Sequence, residues 1–268
     1  MSAKFKFDHD LHIHSQLSSC SRDPEQTPER ILQYAKDEGL TTVCLTDHYW
    51  DRAVEGPSKW YAPQDFDHIS QAKPLPQAEG IRFLFGCETE MRKDFTIGIP
   101  PERFDDFDFV IIPTTHLHME GFTIDLADCE SFETRAKVWI NKLDALLSMD
   151  LPFHKIGIAH LVCPLILRKD RVNYLNLLRA LDTDELERLF TKAAKLGVGI
   201  ELNGGDMYFS DEEADVVLRV FRIAKKCGCK FYFGSDAHNP APFEKIRSVF
   251  ERAIDLLGLE ETDKFVLR

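Results

Sequence analysis

Long hydrophobic runs are missing from this 268-residue chain; no apolar stretch approaches the roughly 20 residues needed to cross a bilayer. The opening residues MSAKFKFDHD also lack the apolar core of a secretion signal, so the expectation is a soluble, cytoplasmic protein without a membrane partner. Positive charge is in short supply, with 33 Lys and Arg against 45 Asp and Glu and a formal net charge of −12. Proteins that live by neutralising phosphate backbones need the opposite balance, which disfavours nucleic acid as the partner. Cysteine is sparse and odd in number: seven thiols without a signal segment argue against a disulfide framework and for a reducing compartment. With 14 Gly and 13 Pro scattered along the chain, neither residue marks a repeat, a linker or a low-complexity segment. What remains is an ordinary globular composition, 44% hydrophobic, sufficient for a large core.

Strand-like apolar stretches recur at 5–14, 42–47, 82–90, 107–115, 155–161, 197–203 and 230–236, with helical patterns between most of them. After the first, Thr27 suits an N-cap, Pro28 the first helical position, and Gly39 closes PERILQYAKDEG. Ser210 with Glu213 reads as a capping box for a helix ending near Gly228, and Asp182 with Glu185 as a weaker one. Strands alternating with helices predict parallel βαβ units, and seven of them favour an irregular closed α/β barrel over an open sheet, with residues 1–268 as one domain. Two stretches, 51–80 and 161–182, break the rhythm and are expected to be loop insertions over an active site, or short helices covering the core.

The segment DLHIHS, Asp10 to Ser15, has an unusual pattern. Phe5, Phe7, Leu11 and Ile13 take odd positions and Asp10, His12 and His14 even ones, so a two-residue period sends the apolar and ionisable sets to opposite faces. Buried imidazoles and carboxylates are costly unless paired or bound to a metal. Other strand ends carry the same residue types: Asp47 and His48, Glu88, His116, His160, Glu201 and Asn203, Asp236 and His238. One such histidine is ordinary packing, but ligand-type groups at every strand end predict a multinuclear metal site on the C-terminal rim, where barrels gather catalytic groups. His118 is an alternative to His116, and Cys227-Gly-Cys229, half a zinc motif at a helix end, reads as structural.

In order, DLHIHS, TDHY (46–49), GCE (86–88), TTH (114–116), IAH (158–160), ELN (201–203) and GSDAH (234–238) resemble the motif set of the PHP (polymerase and histidinol phosphatase) domain phosphoesterases over nearly the whole chain. The resemblance implies a distorted (β/α)7 TIM-like barrel with two to three divalent ions, zinc, manganese or iron, at its C-terminal rim. It implies that His12, His14, Glu88 and Asp236 hold one metal, and that Glu88 bridges to a second completed by His116 and His160. His48, His238 and position 20 would hold a third. Many family members have aspartate or histidine at that position; here it is Cys20, which suits zinc or iron and not magnesium, with Asp23 as the alternative. Glu88, Asp236 and His238 form the catalytic centre in this reading, and Asp10 and Asp47 are expected to take histidine ring N–H groups and fix their tautomers.

Adjacent divalent ions suit phosphate-ester hydrolysis, because they make hydroxide available from a bridging water and stabilise phosphate oxygens in the transition state. The expectation is a metal-dependent phosphomonoesterase for a small-molecule phosphate, with histidinol phosphate or a nucleotide as first candidates. Arg168, Arg171 and Arg22, then Lys59, are candidates to grip phosphate; Trp60, Tyr61 or Phe209 are candidates to stack on a ring. The alternatives are a nuclease or phosphodiesterase with the same site, an amidohydrolase, and a non-catalytic metal sensor. Glu88 stands where an amidohydrolase would carry a bridging modified lysine, and the completeness of the ligand set weighs against a sensor.

Overall fold

The computed structural model describes residues 3–267. Its strands are β1 (His9–Ile13), β2 (Thr42–Leu45), β3 (His48–Tyr49), β4 (Arg82–Thr89), β5 (Phe109–Ile111), β6 (Ile156–Ile158), β7 (Gly199–Asn203) and β8 (Lys230–Gly234). They pair in the parallel order β1-β2-β4-β5-β6-β7-β8, and the two-residue β3 pairs with the far end of β4. β1 and β8 meet at their C-terminal ends, where Asp236 N–H donates to His12 O at 2.7 Å and His14 N–H to Ala237 O at 3.1 Å. The result is the expected, nearly closed barrel of seven main strands with helices outside, a TIM-like α/β architecture. Among the described residues, no helix is long and apolar enough to cross a membrane.

One apolar layer lies between strands and helices; a second fills the barrel beneath the rim, with Leu11, Leu84, Phe109, Ile111, Tyr232 and Phe265 among its members. The clean two-face reading of residues 5–15 needs correction here. A register shift between Asp10 and Ile13 breaks the alternation, so Leu11 fills the barrel while Phe5, Phe7 and Ile13 pack in the outer layer.

Local signals account for most helix ends. Thr27 accepts from Arg30 N–H with Pro28 in the first turn, Gly39 adopts φ 63°, and Asp182 caps Thr183–Leu196 by accepting from Glu185 N–H. Ser210 and Glu213 do not form the expected box: Glu213 is itself the residue before Ala214–Val217, and its carboxylate accepts from Ser210 N–H and from Arg171. The 161–182 stretch is largely helical, with a turn at Pro164–Leu167 and a helix at Arg171–Ala180 capped by Asp170. The 51–80 stretch carries only the short turns Phe66–Ile69 and Ser70–Ala72.

The helix Phe132–Leu147 fixes the rim loops. Its buried Arg135 donates to Leu117 O at 2.6 Å, Trp139 Nε1 to Leu161 O at 2.9 Å, and Lys142 Nζ to Met91 O at 2.6 Å and Thr123 O at 3.1 Å. Carbonyls that have left the strand ladder are thereby satisfied away from water.

Candidate metal centre

Groups from distant parts of the chain converge on the rim. His12 and His14, at the end of β1, face each other with Nε2 atoms 3.1 Å apart. Glu88 on β4 places Oε2 3.4 Å from His12 Nε2, 3.3 Å from His14 Nε2 and 3.0 Å from His48 Nδ1. Asp236, just past β8, has Oδ1 3.4 and 3.1 Å from the first two rings and Oδ2 3.5 Å from His160 Nε2. Glu88 Oε1 lies 3.7 Å from the same His160 nitrogen, and the His116 ring lies 4.5 Å from that of His160. His14, Cys20, His48 and His238 offer ligand atoms within 4.8 Å of one another, as do His116, His160 and Cys163. His160 and Asp236 sit at φ 59° and 54°. Non-glycine residues avoid this region, and two such positions in one cluster mark a backbone bent to aim side chains.

Hydrogen bonds to the far nitrogens set the rings. His12 Nδ1 donates to Glu201 Oε1 at 2.6 Å, and His116 Nδ1 to Glu90 Oε2 at 2.8 Å. His14 Nδ1 donates to Ser18 Oγ at 2.9 Å, and Ser18 passes its own proton to Asp47 at 2.7 Å. These partners turn each ring so that Nε2 is the inward-facing atom, available to a cation that displaces its proton. Gly234 is required beside this arrangement, because a β-carbon there would collide with Glu201 Oε1 and the His12 β-carbon.

Asp10 does not hold a ring, which corrects the sequence expectation. Its oxygens accept from the backbone N–H groups of His12 at 3.3 Å and Ser235 at 2.9 Å and from Tyr34 Oη at 3.0 Å, so it ties β1 to β8 and to the first helix. Glu201 takes the role expected of it. Asp47 reaches its histidine only through Ser18.

The cluster's electrostatics call for a cation. Among the described residues, neither Glu88 oxygen has a hydrogen-bond partner, although both are buried and Glu88 is 1% exposed. Burial opposes charge here, yet Glu201, Glu88 and Asp236 hold His12 well above the usual histidine range. Against the same penalty, His48 and His12 keep Glu88, and His12 and His238 keep Asp236, well below the carboxylate range. Burial, then a histidine neighbour, pushes His116 and His238 down to about 3, which preserves their lone pairs. Burial also pushes the Cys20 thiol up, and Asp236 and Glu88 add to the shift, so its thiolate needs an adjacent cation. Orphaned carboxylate oxygens, facing imidazole lone pairs and one sulfur are a donor set that fits divalent metal ions.

Above the cluster opens a cavity of about 600 Å³, lined by His48, Glu88, His116, His160, Asp236 and His238 on one side and by Trp60, Tyr61 and Phe122 on another. None of the arginines expected to grip phosphate lines it. Arg171 is committed to Glu213 through bonds of 2.7 and 2.6 Å, Arg168 is exposed elsewhere, and Arg22 lines a separate surface groove with Asp23. Lys59 is exposed, and Phe209 packs under Arg252 away from the cavity. Cys20, not Asp23, joins the ligand-type groups, and His116 does so where His118 does not.

Sequence reasoning missed Glu90, Asp206, Ser18 and Cys163. Glu90 had a signal, since it shares strand parity with Glu88 two residues earlier. Asp206 Oδ1 lies 3.7 Å from His160 Nδ1 and arrives through the turn after β7, which no local motif announces.

Comparison with known proteins accords with this geometry. The PHP domain family profile matches residues 10–205, so Asp236 and His238 join the centre by their position in the fold and not by that match. A protein named probable phosphatase from Caldicellulosiruptor saccharolyticus is 22% identical over 213 residues, spanning 79% of this chain and 73% of that one. The solved histidinol phosphate phosphatase of Lactococcus lactis, complexed with zinc, L-histidinol and phosphate, superposes with a TM-score of 0.60 at 18% identity over 97% of this chain and 98% of its own. A structure from Listeria monocytogenes superposes at 0.62 with 13% identity, over 90% of this chain and 99% of that chain. Fold, rim cluster and family match agree, and the chain belongs to the PHP domain family.

Proposed function

We propose that this protein is a metal-dependent phosphomonoesterase for a small-molecule phosphate, working with two or three divalent ions drawn from zinc, manganese and iron. The observation that carries the reading is the Glu88 carboxylate, buried without a hydrogen bond and surrounded by imidazole nitrogens of His12, His14, His48 and His160. His12, His14, Glu88 and Asp236 would hold one ion; Glu88, His116 and His160 would hold a second; Cys20, His48 and His238 would hold a third. When bound, such ions supply a nucleophilic hydroxide near neutral pH and charge to offset that of the phosphate.

The chain's own residues do the positioning. Glu201, Glu90 and the Ser18–Asp47 pair hold a proton on the far nitrogens of His12, His116 and His14, which makes the inward nitrogens more basic donors and fixes their direction. Asp236 and His238, beside the cavity, face the reacting phosphate together with Glu88. Trp60, Tyr61 and Phe122 in the cavity lining replace water beside the ester with apolar surface. Histidinol phosphate is the first substrate to try, because the Lactococcus lactis protein of the same fold was solved with L-histidinol and phosphate. Mononucleotides come next.

The test is phosphate release from histidinol phosphate, mononucleotides, sugar phosphates and an aryl phosphate by protein loaded separately with zinc, manganese or iron. Metal-dependent release is expected, and Asp236→Ala is expected to lower it by more than about 100-fold. Folded, metal-loaded protein that releases phosphate from none of them refutes the proposal.

A further inference from the structure

The cavity over the metal centre has two unlike walls. Ligand-type groups make one, the contacting set Trp60, Tyr61 and Phe122 makes the other, and Met119 and Leu165 add further apolar lining. The aromatic wall is continuous with the centre: His48 and Trp60 meet edge to face at 4.8 Å, Trp60 and Tyr61 at 4.7 Å, and Tyr61 stacks on Phe122 at 5.7 Å. Tyr61 is buried, but Trp60 and Leu165 are each 38% exposed, so apolar surface at the cavity is left for an occupant. Among the described residues, no lysine or arginine lines this space. Its one charged group outside the ligand cluster is Glu120, whose carboxylate accepts from Arg135 at 3.0 Å.

This distribution bears on what a substrate carries besides its phosphate. Beyond the metal centre, a second anionic group would lie against aromatic faces and Glu120 with no lysine or arginine of the lining to offset it. Polyol hydroxyls would exchange water for apolar carbon and lose hydrogen bonds. A flat apolar body would bury area and stack on Trp60. We propose that the site selects phosphomonoesters whose alcohol bears a flat apolar or aromatic group, and discriminates against polyol phosphates and against substrates with a second anionic group. The selectivity rests on the phosphomonoesterase reading for its kinetic form, and its binding form is measurable without turnover.

The experiment compares benzyl phosphate, glycerol phosphate and 4-carboxybenzyl phosphate, whose alcohols are of similar acidity, on metal-loaded protein. Calorimetric titration with benzylphosphonate and methylphosphonate runs alongside. Benzyl phosphate is expected to exceed both competitors in kcat/KM by about tenfold or more, and benzylphosphonate to bind tighter than methylphosphonate by a similar factor. Trp60→Ala and, separately, Phe122→Ala are expected to shrink both preferences, mainly through KM and by several-fold each. Phosphate release without preference among the esters, together with equal phosphonate affinities, overturns the selectivity and leaves the phosphomonoesterase standing. No release from any ester, with benzylphosphonate still bound more tightly in a Trp60-dependent way, removes the esterase and keeps the selectivity. No release and equal affinities overturn both.

Discussion

The two flanks of the metal centre are built differently. On the strand flank, His12, His14 and His116 each have the far ring nitrogen tied to Glu201, to Ser18 and thence Asp47, or to Glu90. The loop flank of Cys20, His48 and His238, in which only His48 belongs to a strand, lacks such ties among the described residues: His48 turns Nδ1 toward Glu88 at 3.0 Å and is anchored through its backbone N–H to Ser18 Oγ at 3.1 Å, and the His238 side chain is 30% exposed. His238 is held instead by stacking on His14 at 4.3 Å and by a bond from Ser21 Oγ to its carbonyl at 2.7 Å. A ring fixed at both nitrogens loses little freedom when it binds an ion, whereas one fixed only by stacking must still be ordered. The strand flank is therefore expected to retain metal more tightly, and the loop flank to exchange it.

The strongest way to break this contrast is to remove a tie. Glu201→Gln keeps the shape beside His12 but removes the charge that favours its ring N–H, and metal content after dialysis should fall about 10- to 100-fold in apparent affinity. Unchanged retention would mean that the ties do not set affinity. Cys20→Ser addresses the other flank with a smaller effect. The loop-flank ion should lose about tenfold in zinc affinity, while strand-flank occupancy holds. Cobalt-loaded protein should lose its sulfur-to-metal absorption band in this variant; persistence of the band would place the sulfur ligand elsewhere, with Cys163 the next candidate.

His9 sharpens the contrast with the smallest effect, because it repeats the carboxylate–imidazole pairing away from any ligand cluster. Its Nδ1 donates to Asp8 at 2.8 Å and its Nε2 accepts from Phe233 N–H at 3.2 Å, which fixes a neutral ring. Burial lowers its pKa, although Asp8 pulls the other way. Above about pH 6.5 the ring is neutral whether folded or unfolded, and its neutrality has no pH-dependent effect on stability. Below that, the unfolded chain takes up a proton that the fold refuses, so stability falls by up to about 1.4 kcal/mol per pH unit. Denaturant unfolding of metal-free wild type and His9→Asn at pH 7 and 5.5 should show the variant's disadvantage narrowing in acid. A constant difference would show that His9 is protonated in the fold.

Much of this was legible in the chain because the signals are local. Strand–helix alternation, the Thr27-Pro28 start and the Asp182 cap are each set by a few neighbouring residues. Ligand types at strand ends were legible for the same reason, since a parallel barrel brings strand ends together whatever the intervening loops do. The arginines were misplaced because a guanidinium's partner is chosen in space: Arg171 found Glu213, 42 positions away, at 2.6 Å. Asp10 was misread because its partners are chosen in space: Tyr34, 24 positions away, and the Ser235 N–H just past β8, 225 positions away.

The sequence by itself determined the fold class and the kinds of atom on the rim, because two-residue and helical periods and ligand chemistry are properties of short segments. Only the tertiary structure decided which carboxylate backs which imidazole, that among the described residues Glu88 has no hydrogen-bond partner, and that aromatic side chains and no described lysine or arginine line the cavity beyond the ligands. Those facts depend on distances between residues far apart in the chain, which are set when the barrel closes and the outer helices pack against it.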